Sequence, residues 1–342
     1  MYTTPEHFLG YNYVTSAYKN EPAASKQKII VYLKKLLPDA IEKQLRGLSR
    51  SDIKELSTEV VMKRGLILEG GAMRGLFTAG VMDVLMVNGI EFDGAIGVSA
   101  GAAFGVNYKS KQAGRVLRYN TKFVRDKRYC GVRVLFKTGN IYSTEFCYGE
   151  VPLKHDIFDF ETYENNPMEF YVVATDVVTG DAVYHKYEGR ADHGFDWIRA
   201  SASMPLVSQI VEIDGQKMLD GGIADSIPVR YFESIGYNRN VAVLTQCKGF
   251  QKKKNEVMPL IKLKYRKYPK LVETMANRHI VYNNTLAYIE EKEKAGELFV
   301  IRPETELPVS RVEKDPEKLR AAYEIGRQTA QNNLLKIKQF LK

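Results

Sequence analysis

The stretch FDGAIGVSAGAAFGV, residues 92–106, decides the fold. Its first half, GAIGV, is a short apolar run of the kind that forms a buried strand. Its second half, AGAAFGV, is rich in small residues and opens a helix. Between them stands Gly97-Val98-Ser99-Ala100-Gly101, a Gly-x-Ser-x-Gly spacing. A chain needs that spacing where a strand turns sharply into a helix: the glycines let the backbone crowd, and the serine is left exposed at the strand's carboxyl end. The helix N-terminus then lies beneath the hydroxyl and favours negative charge developing there. Ser99 is thus a candidate nucleophile, with Gly97 and Gly101 shaping its elbow. A serine hydroxyl is inert until a base takes its proton. The chain has five histidines, and none lies near Ser99 in sequence.

Working outward, RGLILEGG (64–71) is an apolar strand ending in glycines, and GLFTAGVMDVLMVNG (75–89) follows with helical periodicity and an Asn88-Gly89 stop. EFYVVATDVVTG (169–180) is a strongly β-branched strand that turns into DAVYHKYEG (181–189). DWIRASASMP (196–205) reads as a helix stopped by Pro205, KMLDGGIADSIPV (217–229) as a short strand and turn, and YNRNVAVLTQC (237–247) and GELFVIRP (296–303) as further strands. At the end, Asp315 can cap a helix with Pro316 at its first position, running to about residue 340. Strands alternating with helices predict an α/β fold: a three-layer α/β/α sandwich on a mostly parallel central sheet.

Two more stretches bear on chemistry. LEGGAMRG (68–75) is a glycine-rich turn between strand and helix, which points several backbone N–H groups at one spot and suits an anion, either a phosphate or the oxyanion of a tetrahedral intermediate. Gly70-Gly71-Ala72-Met73-Arg74-Gly75 is nearly a dinucleotide fingerprint, with Glu91 and Asp93 at about the expected distance. Both acids precede the strand AIGV, however, whereas a ribose-binding acid closes it. A P-loop fails because no Lys-Ser or Lys-Thr follows. LDGGIADSIP (219–228) places Asp220 at the end of a strand, before glycines that let a substrate or another backbone come close. In a parallel sheet the carboxyl ends share one rim, so Ser99, the glycine loop and Asp220 are expected together there, with Asp220 the candidate base.

These three motifs, in this order, resemble the patatin-like phospholipases: Gly70-Gly71-Ala72-Met73-Arg74-Gly75, Gly97-Val98-Ser99-Ala100-Gly101 and Asp220-Gly221-Gly222. The likeness covers roughly residues 65–245, with YVVATDVVTG and RASASMP in support, and YNNTLAYIEE, LFVIRP and VSRVEKDPEKL look like the tail of a bacterial branch. The resemblance implies a Ser–Asp dyad without histidine. Ser99 would be the nucleophile and Asp220 the base, and the N–H groups around Gly70, Gly71 and Ala72, supported by Arg74, would form the oxyanion hole. Gly75, Gly221 and Gly222 complete the motifs. One departure is Ala72, where many members have a third glycine. The implied function is a serine lipid acyl hydrolase acting on a phospholipid or other acyl ester. Alternatives are a transacylase on the same dyad or a non-catalytic lipid- or nucleotide-binding regulatory protein. No cofactor and no metal are expected.

An exposed aspartate is a poor base for a serine, but burial in an apolar cleft raises its pKa and makes it a better one. Only His279 follows Asp220 in the order Ser–Asp–His, and ETMANRHIVYNN reads as a helix in which it has a structural role. His7, His155, His185 and His193 fall in an arm, a turn or a polar loop.

The 342 residues carry a net charge of +9, gathered in residues 26–50, 108–128 and 248–270. Basic surface attracts phosphate-bearing partners, and here a peripheral contact with an anionic membrane surface is expected rather than nucleic acid. Apolar runs fall far short of a membrane span, the N-terminus lacks a signal-peptide pattern, and Cys130, Cys147 and Cys247 form neither a zinc pattern nor a disulfide framework, so a cytoplasmic setting is expected. Oligomeric state is open. Three regions follow: an N-terminal arm and amphipathic helical extension (1–60, with Ile29, Leu33, Leu36, Leu37 and Ile41 on one face), a catalytic core (61–247), and a basic, helical C-terminal region packing on that core (248–342).

Overall fold

The computed structural model describes residues 62–342; the arm and amphipathic extension read over 1–60, and the basic segment 26–50, lie outside the described residues. Lys63–Lys342 form one compact unit. In chain order its elements are β1 (Lys63–Leu68), α1 (Gly75–Val87), β2 (Gly94–Val98), α2 (Ala100–Lys109), α3 (Arg115–Phe123), α4 (Val132–Thr138), a π-helical segment (Glu145–His155), α5 (Phe160–Asn165), β3 (Glu169–Asp176), β4 (Ala182–Lys186), α6 (Asp196–Ser201), β5 (Val211–Ile213), β6 (Gln216–Asp220), α7 (Val229–Ser234), β7 (Tyr237–Val243), α8 (Met258–Lys264), α9 (Pro269–Lys294), β8 (Leu298–Ile301) and α10 (Pro316–Phe340).

The strands build one eight-stranded sheet. Strands β8, β7, β1, β2 and β3 are mutually parallel. β1 lies in the middle, and its Leu66, Ile67 and Leu68 are wholly buried. Each such side chain contributes about 1.5–3 kcal/mol relative to exposure. Helices cover both faces. One core joins α1, α2 and α10 to the sheet, a second joins α7 and α9, and a third packs α8 and the start of α9 on Leu219 of β6. The α1–α10 crossing is very close: a methyl on Gly80 would stand 2.0 Å from the Tyr323 carbonyl oxygen, and one on Gly326 would stand 2.0 Å from that of Phe77. The Tyr323 hydroxyl donates to Asp83 across it at 2.6 Å. Asp315 caps α10 by accepting from the Glu317 N–H.

The expectation of one rim made by parallel strands needs a correction. β4, β5 and β6 run antiparallel to their neighbours, and β6 pairs with β3 as Ala174↔Asp220 and Asp176↔Met218. β4 occupies one edge of β3 over Tyr171–Thr175. A strand has two edges, so β2, paired through Val98↔Val173, and β6, paired from Ala174↔Asp220, must share the other. β2 therefore climbs that edge to the rim, and β6 descends the same edge from beyond the rim to meet it. Asp220 reaches the rim by running back into the sheet.

The basic segment 108–128 also differs from an open cationic face. Arg115 and Lys109 are buried. Arg115 donates to the Asp156 carbonyl and to Asn107 Oδ1, and Lys109 Nζ stands 4.4 Å from the Tyr163 ring centre. Arg118 grips Asp156 with two bonds, at 2.7 and 2.8 Å.

Candidate active site

Ser99 stands in the one-residue turn between β2 and α2, with φ +55° and ψ −119°. That conformation is strained for a side chain bearing a Cβ, and the surrounding packing imposes it. Gly97 and Gly101 are what permit the turn. A methyl on Gly101 would sit 2.2 Å from the Leu68 carbonyl oxygen, and one on Gly97 would sit 2.5 Å from that of Gly101. The Ser99 N–H donates to Ser201 Oγ at 2.8 Å, so α6 holds the elbow from the side. The hydroxyl donates to Asp220 Oδ2 at 2.7 Å.

Asp220 is oriented from three directions. Its Oδ1 accepts from the Gly222 N–H at 2.8 Å, its N–H donates to the Ser203 carbonyl at 2.9 Å, and its own carbonyl accepts from Thr175 Oγ1 at 2.9 Å. Gly221 is pressed against the Val173 carbonyl, where a methyl would stand 2.1 Å away. Burial pushes the Asp220 carboxyl above its ordinary pKa of 3.8, and the Ser99 hydroxyl, Arg278 and the Gly222 N–H oppose that rise in part. The result is a carboxylate that holds a proton more willingly than one in water.

The glycine loop closes the third side. Gly70 lies against Val98 and Ser99, where a methyl would stand 2.9 Å from the Val98 oxygen. The N–H groups of Gly70 and Gly71 donate to no described residue, and both residues line the cavity beside Ser99. Ala72, at φ +49°, is in the left-handed region where glycine is at ease. The Arg74 side chain lines the same cavity, its Nε buried without a hydrogen-bond partner among the described residues. Burial lowers its pKa, with Glu69 opposing. Gly75 packs α1 onto Phe104 and Ala100 of α2.

Two chambers meet at Ser99, and Ser99, Ala72 and Met204 line both. One is apolar, about 110 Å³, walled by Phe104, Tyr119, Tyr148, Val151 and Ile198. The other is a basin of about 400 Å³ with Glu69, Arg74, Asp220, Lys252, Arg278 and Arg311 in its wall.

Residues 66–233 match the patatin-like phospholipase family. The chain belongs to that family. Residues 268–342 of this patatin-like chain match a second family, described as a domain of unknown function, DUF6363. Among its relatives, YjjU of Escherichia coli (strain K12) is 30% identical over 194 residues, 53% of this chain and 51% of that one. The lysophospholipase nte1 of Aspergillus niger is 29% identical over 185 residues, 50% of this chain and 11% of that protein. The chain thus spans about half of YjjU and a small part of nte1. A crystal structure of VipD from Legionella pneumophila superposes with TM-score 0.40 at 12% identity, over 80% of this chain and 67% of that one.

Within the patatin-like fold, the residues of the rival readings stand apart. Glu91 and Asp93 pair with Lys111 and Arg64. They lie before β2, at the opposite end of the sheet from the glycine loop. His279 is on α9 and does not line either chamber; its Nδ1 is buried without a partner among the described residues. His185 stacks on Trp197 with ring centres 3.9 Å apart and binds Asp192, and His155 and His193 approach Glu150 and Asp214. Among the described residues no group of His, Cys, Asp and Glu could hold a metal ion, and no helix is long and apolar enough to cross a membrane.

Sequence reasoning missed four contributors. Glu69 accepts from the Thr245 N–H at 2.6 Å and from the Tyr282 hydroxyl at 2.5 Å, tying the glycine loop to β7 and α9. Its signal was a carboxylate closing an apolar strand, a group that has to be paired when buried. Lys252, Arg278 and Arg311 had no signal, because only the fold brings them to the basin.

Proposed function

We propose that this protein is a serine lipid acyl hydrolase of the phospholipase type. The observation that carries this reading is the 2.7 Å hydrogen bond from Ser99 Oγ to a buried Asp220 carboxylate, at the meeting of an apolar and a polar chamber. Ser99 Oγ attacks the ester carbonyl carbon as its proton passes to Asp220 Oδ2. The carbonyl oxygen becomes an oxyanion facing the N–H groups of Gly70, Gly71 and Ala72, with Arg74 adding positive charge. Collapse expels the alcohol, which takes the proton back from Asp220. Water then attacks the acyl-Ser99 carbonyl carbon and gives a proton to Asp220, and Asp220 passes that proton to Ser99 Oγ as the acyl–oxygen bond breaks and the fatty acid leaves. The apolar chamber fits the acyl chain, and the basin fits the polar part of the substrate.

A peripheral contact with a lipid surface fits the rim. Residues 204–207 line the basin, and α4 and α8 both bind to the loop 204–209 that carries them, through Gln209 to the Thr138 carbonyl and through Lys264 to the Leu206 carbonyl. Those two helices expose Val132, Phe136, Leu260 and Leu263, with Phe136 87% exposed, beside Lys137, Lys262 and Lys264. Apolar residues flanked by lysines suit an anionic membrane. A panel of acyl esters and phospholipids, assayed with the protein and its Ser99→Ala variant, tests the reading. Fatty acid release lost on substitution supports it; release that survives refutes it; transfer of the acyl group to added glycerol in place of water identifies a transacylase.

A further inference from the structure

The basin beside Ser99 holds four cationic side chains, Arg74, Lys252, Arg278 and Arg311, against two carboxylates, Glu69 and Asp220. Both carboxylates are already engaged, Glu69 by Thr245 and Tyr282 and Asp220 by Ser99 and Gly222. None of the four cations makes an ion pair with a described residue. Arg278 is fixed by bonds to the Gly222 carbonyl and to Ser226 Oγ, so its charge is aimed beside the dyad. Lys252 is clamped at its backbone by Asn283, donating at 2.8 Å and accepting at 3.0 Å, and its ammonium lies 4.1 Å from the Tyr282 ring centre. Four cations against two carboxylates leave a partly dry wall with an excess of positive charge, a cost that an anion in the basin reduces.

We infer that Lys252, Arg278 and Arg311 form a head-group subsite that selects lipids whose phosphate carries net negative charge over zwitterionic lipids, resting on the hydrolase reading for the role of the adjoining Ser99. A phosphate monoester carries close to two negative charges and several acceptor oxygens, which matches two guanidinium groups and an ammonium. A phosphocholine group adds a quaternary cation that these three residues repel. The residues come from α9 and the segments 250–257 and 309–312, all C-terminal to the strands that carry the dyad, so the C-terminal region is what sets the preference.

The test separates binding from turnover. The Ser99→Ala protein is titrated with dodecyl phosphate and with dodecylphosphocholine, and the intact protein is assayed on 1-acylglycerol 3-phosphate, 1-acylglycerophosphocholine and 1-monoacylglycerol of one acyl chain. The phosphate monoester is expected to bind, and to be cleaved, at least roughly tenfold better than its choline counterpart. Arg311→Gln and Lys252→Gln are each expected to cut that preference by roughly tenfold, and Arg311→Lys to restore most of it. Equal handling of the two head groups, or a preference that neither substitution moves, overturns the subsite even if all three lipids are cleaved. Selective, Arg311-dependent binding of dodecyl phosphate without cleavage of any lipid upholds the subsite and sinks the hydrolase reading instead.

Discussion

Ser99 and Asp220 are 121 residues apart, yet their side chains meet at 2.7 Å because β2 and β6 end head to head on one edge of β3. Val98↔Val173 is the last pair of one ladder, and Ala174↔Asp220 is the next position along the same strand. Adjacent residues of β3 thus act as the ruler between the proposed nucleophile and the proposed base.

The ruler makes the base and the stability of the fold trade against each other. Burial raises the Asp220 pKa above 3.8. Between 3.8 and that higher value the native state binds more protons than the unfolded chain, so stability from this group falls as pH rises through the window and the cost stays in full above it. Asp220→Asn is expected to lower kcat by roughly 10²–10⁴-fold. Its melting temperature should exceed the unsubstituted protein's by a few degrees at pH 8, with the difference vanishing below about pH 4. A variant that melts lower at pH 8 contradicts the assignment of burial as the dominant cause.

The elbow leaves no room for a methyl group. Gly101→Ala would press a Cβ to 2.2 Å from the Leu68 carbonyl oxygen. Overpacking of this kind costs about 1–3 kcal/mol, and it would also displace Ser99. Urea unfolding should show the loss together with a collapse of ester hydrolysis. Ala72 points the other way. At φ +49° it carries about 1–2 kcal/mol of left-handed strain. Ala72→Gly should be neutral or stabilising by up to about 1 kcal/mol, since the relief exceeds glycine's entropic cost, and should keep its activity.

The pH dependence should carry the signature of Lys252. Burial, reinforced by Arg278 and by the charges of Arg311 and Arg74 with Glu69 opposing, lowers its pKa to about 8. It is therefore cationic below that pH and neutral above it. For a phosphate-monoester lipid, kcat/KM is expected to fall as pH rises through about 8, and Lys252→Arg should carry that limb to higher pH. A neutral acylglycerol should not show the limb. If both substrates show it, Lys252 does not face the head group.

Acyl selectivity should follow the apolar chamber. Ala103 lines its wall on α2. Ala103→Phe fills part of about 110 Å³ and is expected to move the optimum toward short acyl chains, read as the ratio of kcat/KM for butanoyl and palmitoyl esters. An unchanged ratio would place the acyl chain elsewhere.

Much of this site is legible in the sequence because its parts are local. The elbow needs Gly97 and Gly101 two residues either side of Ser99, and the helices α1 and α10 announce themselves by Asn88-Gly89 and by Asp315-Pro316. Direction is less legible. KMLDGG reads as a strand whichever way it runs, and only its pairing with Ala174 reveals that it is antiparallel. Charge is least legible of all. Arg115 and Lys109 look as solvated as Lys253 and Lys254 until Asp156 and Tyr163 close over them. Lys252, from a run of three lysines, turns inward because Asn283 grips its backbone.

The most direct test is to treat the protein with a fluorophosphonate and map the adduct by mass spectrometry. The dyad reading expects one phosphonyl group, on Ser99, absent in Ser99→Ala and formed much more slowly in Asp220→Asn. An adduct on another residue, or ester hydrolysis that persists in Ser99→Ala, would contradict it.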